Sequence, residues 1–361
     1  MDFIPQIEPW IDDTELEELT GVIKSTFITE NEKTEEFLER VRKLTGSPQA
    51  IATSNGTLAI VSALMAAGIG PGEEVIIPDL TFIASSNAVI MVGATPVFCD
   101  VRRDTGCMDL ASARACITPR TKALMPVHLY GQTVEMDDLM AMAEEHGLMV
   151  IEDAAESFGI TYKDRHTGTF GRFGTFSFFA NKTITCGEGG VVLCQTEEDY
   201  RNLYRIKNHG RDRKGIFIHE NIGFNFCFSD LQAAVGVAQM RKFERIMEGK
   251  QRNFDFYMEH LHCTSGIEVI RPPEYVRSNH WFVNILVEDP HALSAFLQDN
   301  GVGTRRLFYP MHRQPCYSHL DTQPRENANW LYEHGLSLPS GPRLSDEERQ
   351  RVCDLVLEFN G

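Results

Sequence analysis

The sequence predicts an α/β fold, with a large domain built on a mixed, mostly parallel sheet and a smaller C-terminal α+β domain. Between residues 50 and 200, short β-rich runs alternate with helix-length segments, a pattern typical of a parallel sheet covered by helices on both faces. After Ser229 this alternation ends and helical patterns predominate. We therefore predict a large domain, including an N-terminal helical segment, over residues 1–244 and a small domain over residues 245–361.

Several short runs in the first 200 residues have the composition of strands. They are rich in apolar and β-branched residues and are bounded by turn residues. They cover residues 50–53, 74–78, 95–99, 122–127, 148–152, 175–179 and 190–194, with helical patterns between some of them at residues 58–67, 84–92 and 135–146. In such sheets the functional groups tend to lie beyond the carboxyl ends of the strands, so the segments after the strands are the first candidates for a site.

The remaining predicted elements are mostly helices. One helical pattern begins near Asp12 and extends to Lys24. Beyond Ser229, the predicted helices cover residues 230–244, 246–261, 290–300 and 345–359, and one strand covers residues 280–287. This mixture of helices and a strand in the last third of the chain indicates a small α+β domain.

The composition limits the classes of function. Of the 361 residues, 42% are hydrophobic and 24% are charged, which is ordinary for a globular protein with a sizeable core. The net charge is −17 and no run of Lys or Arg occurs, so we predict no nucleic-acid partner. No stretch of about 18 apolar residues occurs, so we predict no membrane span.

Cysteine usage and the first residues indicate a cytoplasmic protein. The nine cysteines are scattered and form no Cys-x-x-Cys pair, so we predict reduced thiols and no metal site. The start, from Met1 to Pro5, lacks the basic and apolar regions of a signal peptide. Because the overall charge is negative, an anionic substrate would need a local positive site.

The segment Ser54-Asn55-Gly56-Thr57 lies between a predicted strand and a predicted helix. Small residues let backbone N–H groups approach an anion, and the positive end of the helix dipole favours negative charge there. The segment therefore suits a phosphate group. An ordinary strand-to-helix turn with a Ser or Asn cap is the alternative.

Two charged residues follow other predicted strands. Asp153 comes after an apolar strand, where a carboxylate can serve as a metal ligand, a general base, the partner of a cationic nitrogen or a helix cap. Lys182 comes after an aromatic strand and before the turn Gly187-Glu188-Gly189-Gly190. In a partly desolvated pocket, a lysine can form a Schiff base with an aldehyde. The alternative is an ordinary lysine at a strand end whose amine extends to solvent.

A fourth segment, Gly223-Phe224-Asn225-Phe226, precedes a capped helix start at Ser229-Asp230, and its aromatic alternation is also common in a core. Together the four segments match the requirements of pyridoxal phosphate (PLP). This cofactor needs an amine for its aldehyde, a carboxylate for its ring nitrogen, an anion site for its phosphate and a flat surface for its ring. We therefore predict a PLP site.

Five motifs, in the same order, resemble those of the DegT/DnrJ/StrS family of PLP-dependent sugar-nucleotide aminotransferases. They are Ser-Asn-Gly-Thr from residue 54, Glu-Asp-Ala-Ala-Glu from 152, Ser-Phe-Phe-Ala-Asn-Lys from 177, Gly-Phe-Asn-Phe from 223 and Ser-Asp-Leu-Gln-Ala-Ala from 229. The resemblance extends over essentially the whole chain. It implies fold type I of the PLP enzymes, the aspartate-aminotransferase-like fold, with PLP as the cofactor.

The resemblance assigns roles to the residues around the cofactor ring. Lys182 would carry the internal aldimine, Asp153 would pair with the pyridinium nitrogen, and Phe82 would stack on the ring. Glu156 falls where many relatives have Gln near the phenolic oxygen of the cofactor. A second negative charge beside that oxygen is unfavourable, so the orientation and protonation of Glu156 are open.

The resemblance also implies a phosphate site and a partner. Gly56, Thr57 and Ser177 would hold the phosphate. Asn225 would reach the same phosphate from a second subunit, which implies a homodimer with its active site at the subunit interface. Cys227 occupies a position where the family leads us to expect a basic residue, so no role carries over to it.

Within the family, Phe308-Tyr309-Pro310-Met311-His312 and the segment around Lys182 look most like the perosamine synthases. These use L-glutamate to aminate C4 of GDP-4-keto-6-deoxymannose, so the resemblance implies that reaction and GDP-perosamine as its product. Relatives that act on dTDP- or UDP-linked 3- or 4-keto sugars are similar enough to compete. The predicted substrate contacts are His312, Arg305, Arg306 and Arg313. For each of them, the alternative is an exposed surface residue without a role in binding.

The implied mechanism is a ping-pong transamination. Glutamate displaces Lys182 from the cofactor, and the freed amine moves the α-proton as a base and then as an acid. A PLP-dependent sugar dehydratase on the same scaffold resembles this chain but carries His in place of the lysine. A non-catalytic regulator with this fold would be expected to lose Lys182 or Asp153, and both are present.

Overall fold

The computed structural model describes residues 3–213, 215, 217–262, 264–320 and 323–360. Cys263 and the first two residues, on which the cysteine and signal-peptide predictions partly rest, lie outside this part of the chain. Free thiols are found at Cys99, Cys107, Cys186, Cys194, Cys316 and Cys353. No helix in the described ranges combines the length and apolarity needed to cross a bilayer.

Helices and strands alternate between residues 49 and 153, and the next four strands, over residues 161–194, follow without a helix between them. The helices are α1 (Asp13–Ser25), α2 (Glu32–Thr45), α3 (Gly56–Ala66), α4 (Ala84–Met91), α5 (Leu110–Ala115), α6 (Met136–His146), α7 (Glu197–Lys207), α8 (Asp230–Arg241), α9 (Phe243–Leu261), α10 (Pro290–Asp299), α11 (Glu326–His334) and α12 (Asp346–Asn360). The strands are β1 (Gln49–Thr53), β2 (Glu74–Pro78), β3 (Thr95–Cys99), β4 (Thr121–Leu124), β5 (Met149–Asp153), β6 (Thr161–Tyr162), β7 (Arg165–His166), β8 (Phe173–Ser177), β9 (Gly190–Cys194), β10 (Glu268–Val269), β11 (Val276–Arg277), β12 (Asn284–Leu286), β13 (Arg305–Arg306) and β14 (Gly335–Ser337).

The large sheet has the strand order β1-β9-β8-β5-β4-β2-β3. Strand β9 runs antiparallel to both of its neighbours, and the other adjacent pairs are parallel. The prediction of a mixed, mostly parallel sheet is therefore confirmed. Because β1, β2, β5 and β8 point the same way, their carboxyl ends lie at one edge of the sheet, where a site can form.

Both faces of the large sheet are covered, which explains its near-continuous apolar strands. Along β2, Val75 and Ile77 face a core shared with α3, α4 and α7, whereas Ile76 faces a core shared with α5 and α6. Near β1 and β9 the second face is covered by α2 and α8. The alternation of side chains along each strand thus builds a three-layer unit.

A second, smaller core lies in the last third of the chain. The sheet β10-β12-β14-β13 packs with α9, α10 and α12 around residues such as Val283, Leu293 and Val352. Ile4 joins this core and pairs with Val302, so the start of the chain lies against its last third. The domain division at residue 244, close to the start of α9, stays a prediction.

The predicted strand over residues 280–287 is wrong in its first part. Regular pairing is confined to β12, because His280 has a left-handed backbone with φ of 42° and turns the chain. Trp281 and Phe282 therefore leave the sheet direction and stack on Tyr130, with ring centroids 6.1 and 6.3 Å away. This turn carries a segment of the last third of the chain toward the carboxyl edge of the large sheet.

Candidate active site

The carboxyl ends of four parallel strands bring the predicted site segments together. Strand β1 leads into Gly56, β2 leads into Phe82, β5 ends at Asp153, and β8 ends at Ser177. Lys182 follows β8 by a short turn in which its backbone N–H bonds the carbonyl of Phe179. The parallel topology thus places residues that are distant in sequence at one edge.

The N-terminus of α3 forms a cradle for an anion. Asn55 caps this helix by accepting the Leu58 N–H at 3.0 Å, and the first turn contains no acidic residue. A Cβ atom on Gly56 would lie only 2.7 Å from Cβ of Ser177, so only glycine allows the helix to sit this close to β8. The free backbone N–H groups and the Ser177 hydroxyl at this end fit a phosphate.

Asp153 is a buried carboxylate with defined partners. Its Oδ2 accepts a hydrogen bond from the Ser85 hydroxyl at 2.7 Å, and its Oδ1 accepts the Ala155 N–H at 3.1 Å. Only 4% of the residue is exposed. These bonds hold the carboxylate in one orientation at the end of β5. A carboxylate that pairs with a cationic ring nitrogen needs such a fixed orientation.

The amine of Lys182 lies between a carboxylate and an aromatic ring. Its Nζ is 3.4 Å from Oε1 of Glu156 and 4.3 Å from the centre of the Trp281 ring. The side chain is 12% exposed. The amine is thus largely desolvated yet reachable, which suits covalent attachment of an aldehyde cofactor.

Glu156 faces the amine of Lys182. Its Oε2 accepts the backbone N–H of Tyr130 at 3.1 Å. Burial raises the pKa of the Glu156 carboxyl, the charge of Asp153 adds to this effect, and the charge of Lys182 opposes it. The orientation that the sequence left open is therefore toward the lysine.

Phe82 presents an aromatic ring at the edge of the site. The residue is 54% exposed, and its ring centroid lies 5.8 Å from that of Phe308. Phe308 in turn stacks on Tyr130 at 5.2 Å. We call the group of rings around this position the aromatic cluster; it consists of Phe82, Tyr130, Trp281, Phe282 and Phe308. The exposed face of Phe82 can accept a planar ring.

Asn225 is exposed, and its Oδ1 accepts the Cys227 N–H at 3.4 Å. The next residue, Phe226, accepts the N–H of Ser54 at 3.1 Å, so this segment lies beside the turn that leads into α3. The Cys227 thiol donates to the carbonyl of Lys207 at 3.5 Å. The assignment of Asn225 to the site of a partner subunit stays a prediction.

Two of the predicted substrate contacts are bound to protein groups. His312 is buried, and its backbone N–H and Nδ1 lie 2.8 and 2.6 Å from the two carboxylate oxygens of Asp79. Arg306 donates to the carbonyl of Tyr332 and lies over its ring. His312 thus attaches its loop to the end of β2, and direct contacts of these two residues with a substrate stay predictions.

The other two predicted contacts are exposed arginines. Arg313 donates to Asn329 at 3.2 Å and lies 3.5 Å from Glu333. The guanidinium of Arg305 lies 5.5 Å from the centre of the Phe282 ring, at the border of the aromatic cluster. Their roles toward a substrate also stay predictions.

Sequence reasoning missed several residues that shape this site: Ser85, Tyr130, Asn279 and Trp281. Ser85 carries a hydroxyl inside a mostly apolar helix directly after Phe82, a signal that could have been used. A second signal was the run of hydrogen-bonding side chains at Ser278, Asn279 and His280, directly before a tryptophan. Such residues are unusual at the start of a buried strand.

Comparison with known proteins relates the whole chain to one family. The model of the DegT/DnrJ/EryC1/StrS aminotransferase family matches residues 9–357. The GDP-perosamine synthase of Escherichia coli O157:H7 is 37% identical, with 99% of both chains covered. That of Caulobacter vibrioides is 39% identical, with 88% of this chain and 87% of the relative covered. A UDP-N-acetyl-3-dehydro-alpha-D-glucosamine 3-aminotransferase of Acidithiobacillus ferrooxidans is 36% identical over 88% of this chain and 85% of its own.

Solved structures agree with this relationship. DesV of S. venezuelae, determined with a ketimine intermediate, has a TM-score of 0.94 at 29% identity, with 99% of both chains covered. A putative sugar aminotransferase of Streptococcus pneumoniae in its PLP form has a TM-score of 0.92 at 26% identity, covering 99% of this chain and 97% of its own. The predicted fold of PLP aminotransferases is confirmed by these likenesses.

Proposed function

The chain belongs to the DegT/DnrJ/EryC1/StrS aminotransferase family, and we propose that it transfers the amino group of L-glutamate to C4 of GDP-4-keto-6-deoxy-D-mannose, giving GDP-perosamine. It is a PLP-dependent sugar-nucleotide aminotransferase. The observation that carries the choice of substrate is the name GDP-perosamine synthase, which the E. coli and C. vibrioides relatives share.

We assign the residues at the carboxyl edge of the sheet to PLP. The cradle formed by Gly56, Thr57 and Ser177 would hold its phosphate, and Phe82 would cover its ring. Asp153, fixed by Ser85 and the Ala155 N–H, would pair with the ring nitrogen. When bound, PLP supplies an electron sink for the carbon from which a proton is removed.

The same proposal gives Lys182 two tasks. Its amine would attach the cofactor at rest, and after release it would take the proton from the donor's α-carbon as a base and later give that proton up as an acid. The amine is suited to this because it is desolvated and lies 3.4 Å from Oε1 of Glu156. The carboxylate of Glu156 would compensate the positive charge of the released lysine.

We also propose that the active site forms in a homodimer, with Asn225 reaching the phosphate cradle of the partner. The segment before Asn225 supports this, because Phe217, Ile218 and Ile222 are each more than three-quarters exposed. Exposed apolar side chains in such a group are typical of a surface that another chain covers.

A second candidate is amination of a UDP- or dTDP-linked 3- or 4-keto sugar. The A. ferrooxidans relative favours it, because its name specifies a UDP-linked sugar and C3. In either case the diphosphate needs local positive charge, since the chain carries a net charge of −17. Arg305 and Arg313, both exposed near the site loops, are our candidates for that contact.

The proposal is tested with a panel of keto sugar nucleotides. The PLP-loaded protein is incubated with L-glutamate and GDP-4-keto-6-deoxy-D-mannose, or with dTDP- and UDP-linked 3- and 4-keto sugars, and the products are identified by mass spectrometry and NMR. We expect a C4 amine on the GDP sugar, an equal amount of 2-oxoglutarate, and no product with Lys182→Ala. Amination of a UDP or dTDP sugar alone would reject the GDP assignment, and turnover only with another amino donor would reject glutamate.

A further inference from the structure

The amine of Lys182 has a second neighbour besides Glu156. Trp281 lies under it, with its ring centre 4.3 Å from Nζ, a distance at which an ammonium group is attracted to an indole face. Trp281 is 1% exposed, so the contact is shielded from water. Such shielding strengthens the attraction between a cation and a ring.

The chain reaches this position through a constrained segment. The backbone of His280 is left-handed, with φ of 42°, and the segment packs against Gly131, whose φ is 90°. A Cβ on Gly131 would lie 2.8 Å from Oγ of Ser278 and 3.2 Å from the backbone nitrogen of Trp281. Glycine at residue 131 is therefore required for the tryptophan to reach the lysine.

Asn279 joins this segment to both loops that carry the site. Its Nδ2 lies 2.8 Å from Oγ1 of Thr183, directly after the lysine, and 2.9 Å from the carbonyl of Glu156. Its Oδ1 accepts the N–H of Trp281 at 2.9 Å. One side chain thus links the lysine turn, the glutamate turn and the tryptophan.

The indole itself is held from several sides. Its Nε1 donates to the carbonyl of Asn181 at 2.7 Å, directly before the lysine. Its ring is nearly parallel to that of Tyr130, at an interplanar angle of 11°. The buried amine of Lys250 donates to the backbone carbonyl of Trp281 at 3.1 Å. The bond to Asn181 and the stacking on Tyr130 hold the ring, and the bond from Lys250 holds the backbone of Trp281; none of these contacts involves the amine of Lys182.

We propose that Trp281 is a positioning residue for Lys182, which holds the lysine amine on its ring face, opposite Glu156, whenever that amine is not bound to the cofactor. The inference rests on the proposed role of Lys182 in transamination. The amine would be released in the first half-reaction and would reattach only at the end of the second, so the ring face would give it a fixed position during the interval. The ring also stabilises the charged amine that forms when Lys182 takes up a proton.

The contact is tested first in the wild-type, cofactor-free, full-length protein. Reductive methylation with 13C-formaldehyde places labelled methyl groups on the lysine amines, and the Lys182 signal is identified by its absence in Lys182→Ala. We expect this signal to be shifted upfield from those of exposed lysines by the ring current of the indole. A Lys182 signal at the position of exposed lysines in the folded protein would overturn the proposal.

The second test measures how fast Lys182 reacts with an amine-directed label at fixed pH, by peptide mass spectrometry. Trp281→Leu removes the ring face and is expected to raise the rate roughly three- to thirtyfold, the range that follows from a partly to fully desolvated cation–π contact. Trp281→Phe keeps a ring face and should restore most of the slow rate. An unchanged rate in a folded Trp281→Leu protein would also reject the role.

Trp330→Leu is the matched control, because Trp330 lies in α11 and contacts Arg103 and His334. Its Lys182 signal and labelling rate should equal those of the wild type. Neither measurement uses a sugar substrate, so they separate the two proposals. A normal ring contact without transamination in the substrate panel would reject the proposed function and leave this contact standing.

Discussion

Glu152 and Asp153 are adjacent carboxylates at the end of β5 with opposite surroundings. Glu152 is fully buried and accepts the N–H groups of Gly168, Phe170 and Gly171, each at 2.7 Å, so it holds a loop together. Asp153 points to the other face and accepts the Ser85 hydroxyl at 2.7 Å. Side-chain alternation along a strand thus separates a structural carboxylate from the one we assign to the cofactor.

Replacing Ser85 with Ala should weaken cofactor binding. The change removes a hydrogen bond to a buried carboxylate, which is worth about 1.5–3 kcal/mol, so the affinity for PLP should fall by roughly tenfold or more. Equilibrium dialysis with PLP measures this, and Ser85→Thr should restore binding. Ser62→Ala, which removes a buried hydroxyl bonded within its own helix, is the control. Equal PLP affinity in Ser85→Ala and the wild type would contradict the role of Ser85.

Replacing Glu156 with Gln should change the pH dependence of stability in the cofactor-free protein. Burial raises the pKa of this carboxyl in the folded state, so its protonated form is favoured by folding. That contribution is present below the pKa of an unfolded Glu, about 4.3, and is lost as the pH rises through the folded pKa. As the pH rises from 4 to 8, the melting temperature of Glu156→Gln should therefore increase relative to that of the wild type.

Glu333→Gln serves as the control for this measurement, because the Glu333 side chain is 58% exposed and its neutralisation should leave the pH profile nearly unchanged. Differential scanning calorimetry across the pH series gives the comparison. A constant difference between Glu156→Gln and the wild type would show that burial does not control this carboxyl.

At the scale of elements, the anion cradle depends on how closely α3 approaches β8. Gly56 is the first residue of α3 and meets the side chain of Ser177 at the end of β8. The helix start is also fixed by the Asn55 cap. The cradle is therefore a property of two packed elements, and a single added methyl group is enough to separate them.

Gly56→Ala should destabilise the fold and weaken PLP binding together. The added Cβ would lie 2.7 Å from Cβ of Ser177, and overpacking of this kind costs about 1–3 kcal/mol. Gly21→Ala is the control, because nothing lies within 4 Å of a Cβ built at that helical position. Thermal unfolding should show a lower melting temperature for Gly56→Ala and an equal or higher one for Gly21→Ala. Wild-type stability and affinity in Gly56→Ala would contradict the close contact.

At the scale of the whole molecule, the exposed apolar segment before Asn225 supports our proposal of a homodimer. Phe217, Ile218 and Ile222 are 79%, 77% and 87% exposed, whereas most large apolar side chains lie in the cores. In a homodimer with a twofold axis, the same segment of each chain would complete the site of the other. Asn225 follows this segment and is the residue we expect to act across the interface.

Mixed dimers test that expectation. Lys182→Ala and Asn225→Ala proteins should each be weakly active or inactive alone. If Asn225 acts in the partner's site, co-refolding equal amounts of the two variants regenerates sites in which both residues are intact. With random pairing, about one quarter of all sites are of this kind. Transaminase assays on the mixture measure the recovery. Activity equal to the sum of the separate proteins, with dimers confirmed by sedimentation, would assign Asn225 to the site of its own chain.

The sequence by itself determined the α/β class of the large sheet and singled out Lys182 and Asp153 as candidate site residues. Strand and helix periodicities are local, so the α/β class followed from short segments. Lys182 and Asp153 became candidates because they follow strands, and the resemblance to the family assigned their roles. Only the tertiary structure decided that Trp281 lies under that amine and that His312 is buried against Asp79. These contacts join residues far apart in the chain, and they depend on the packing of sheets and on the left-handed backbone of His280, which no local pattern encodes.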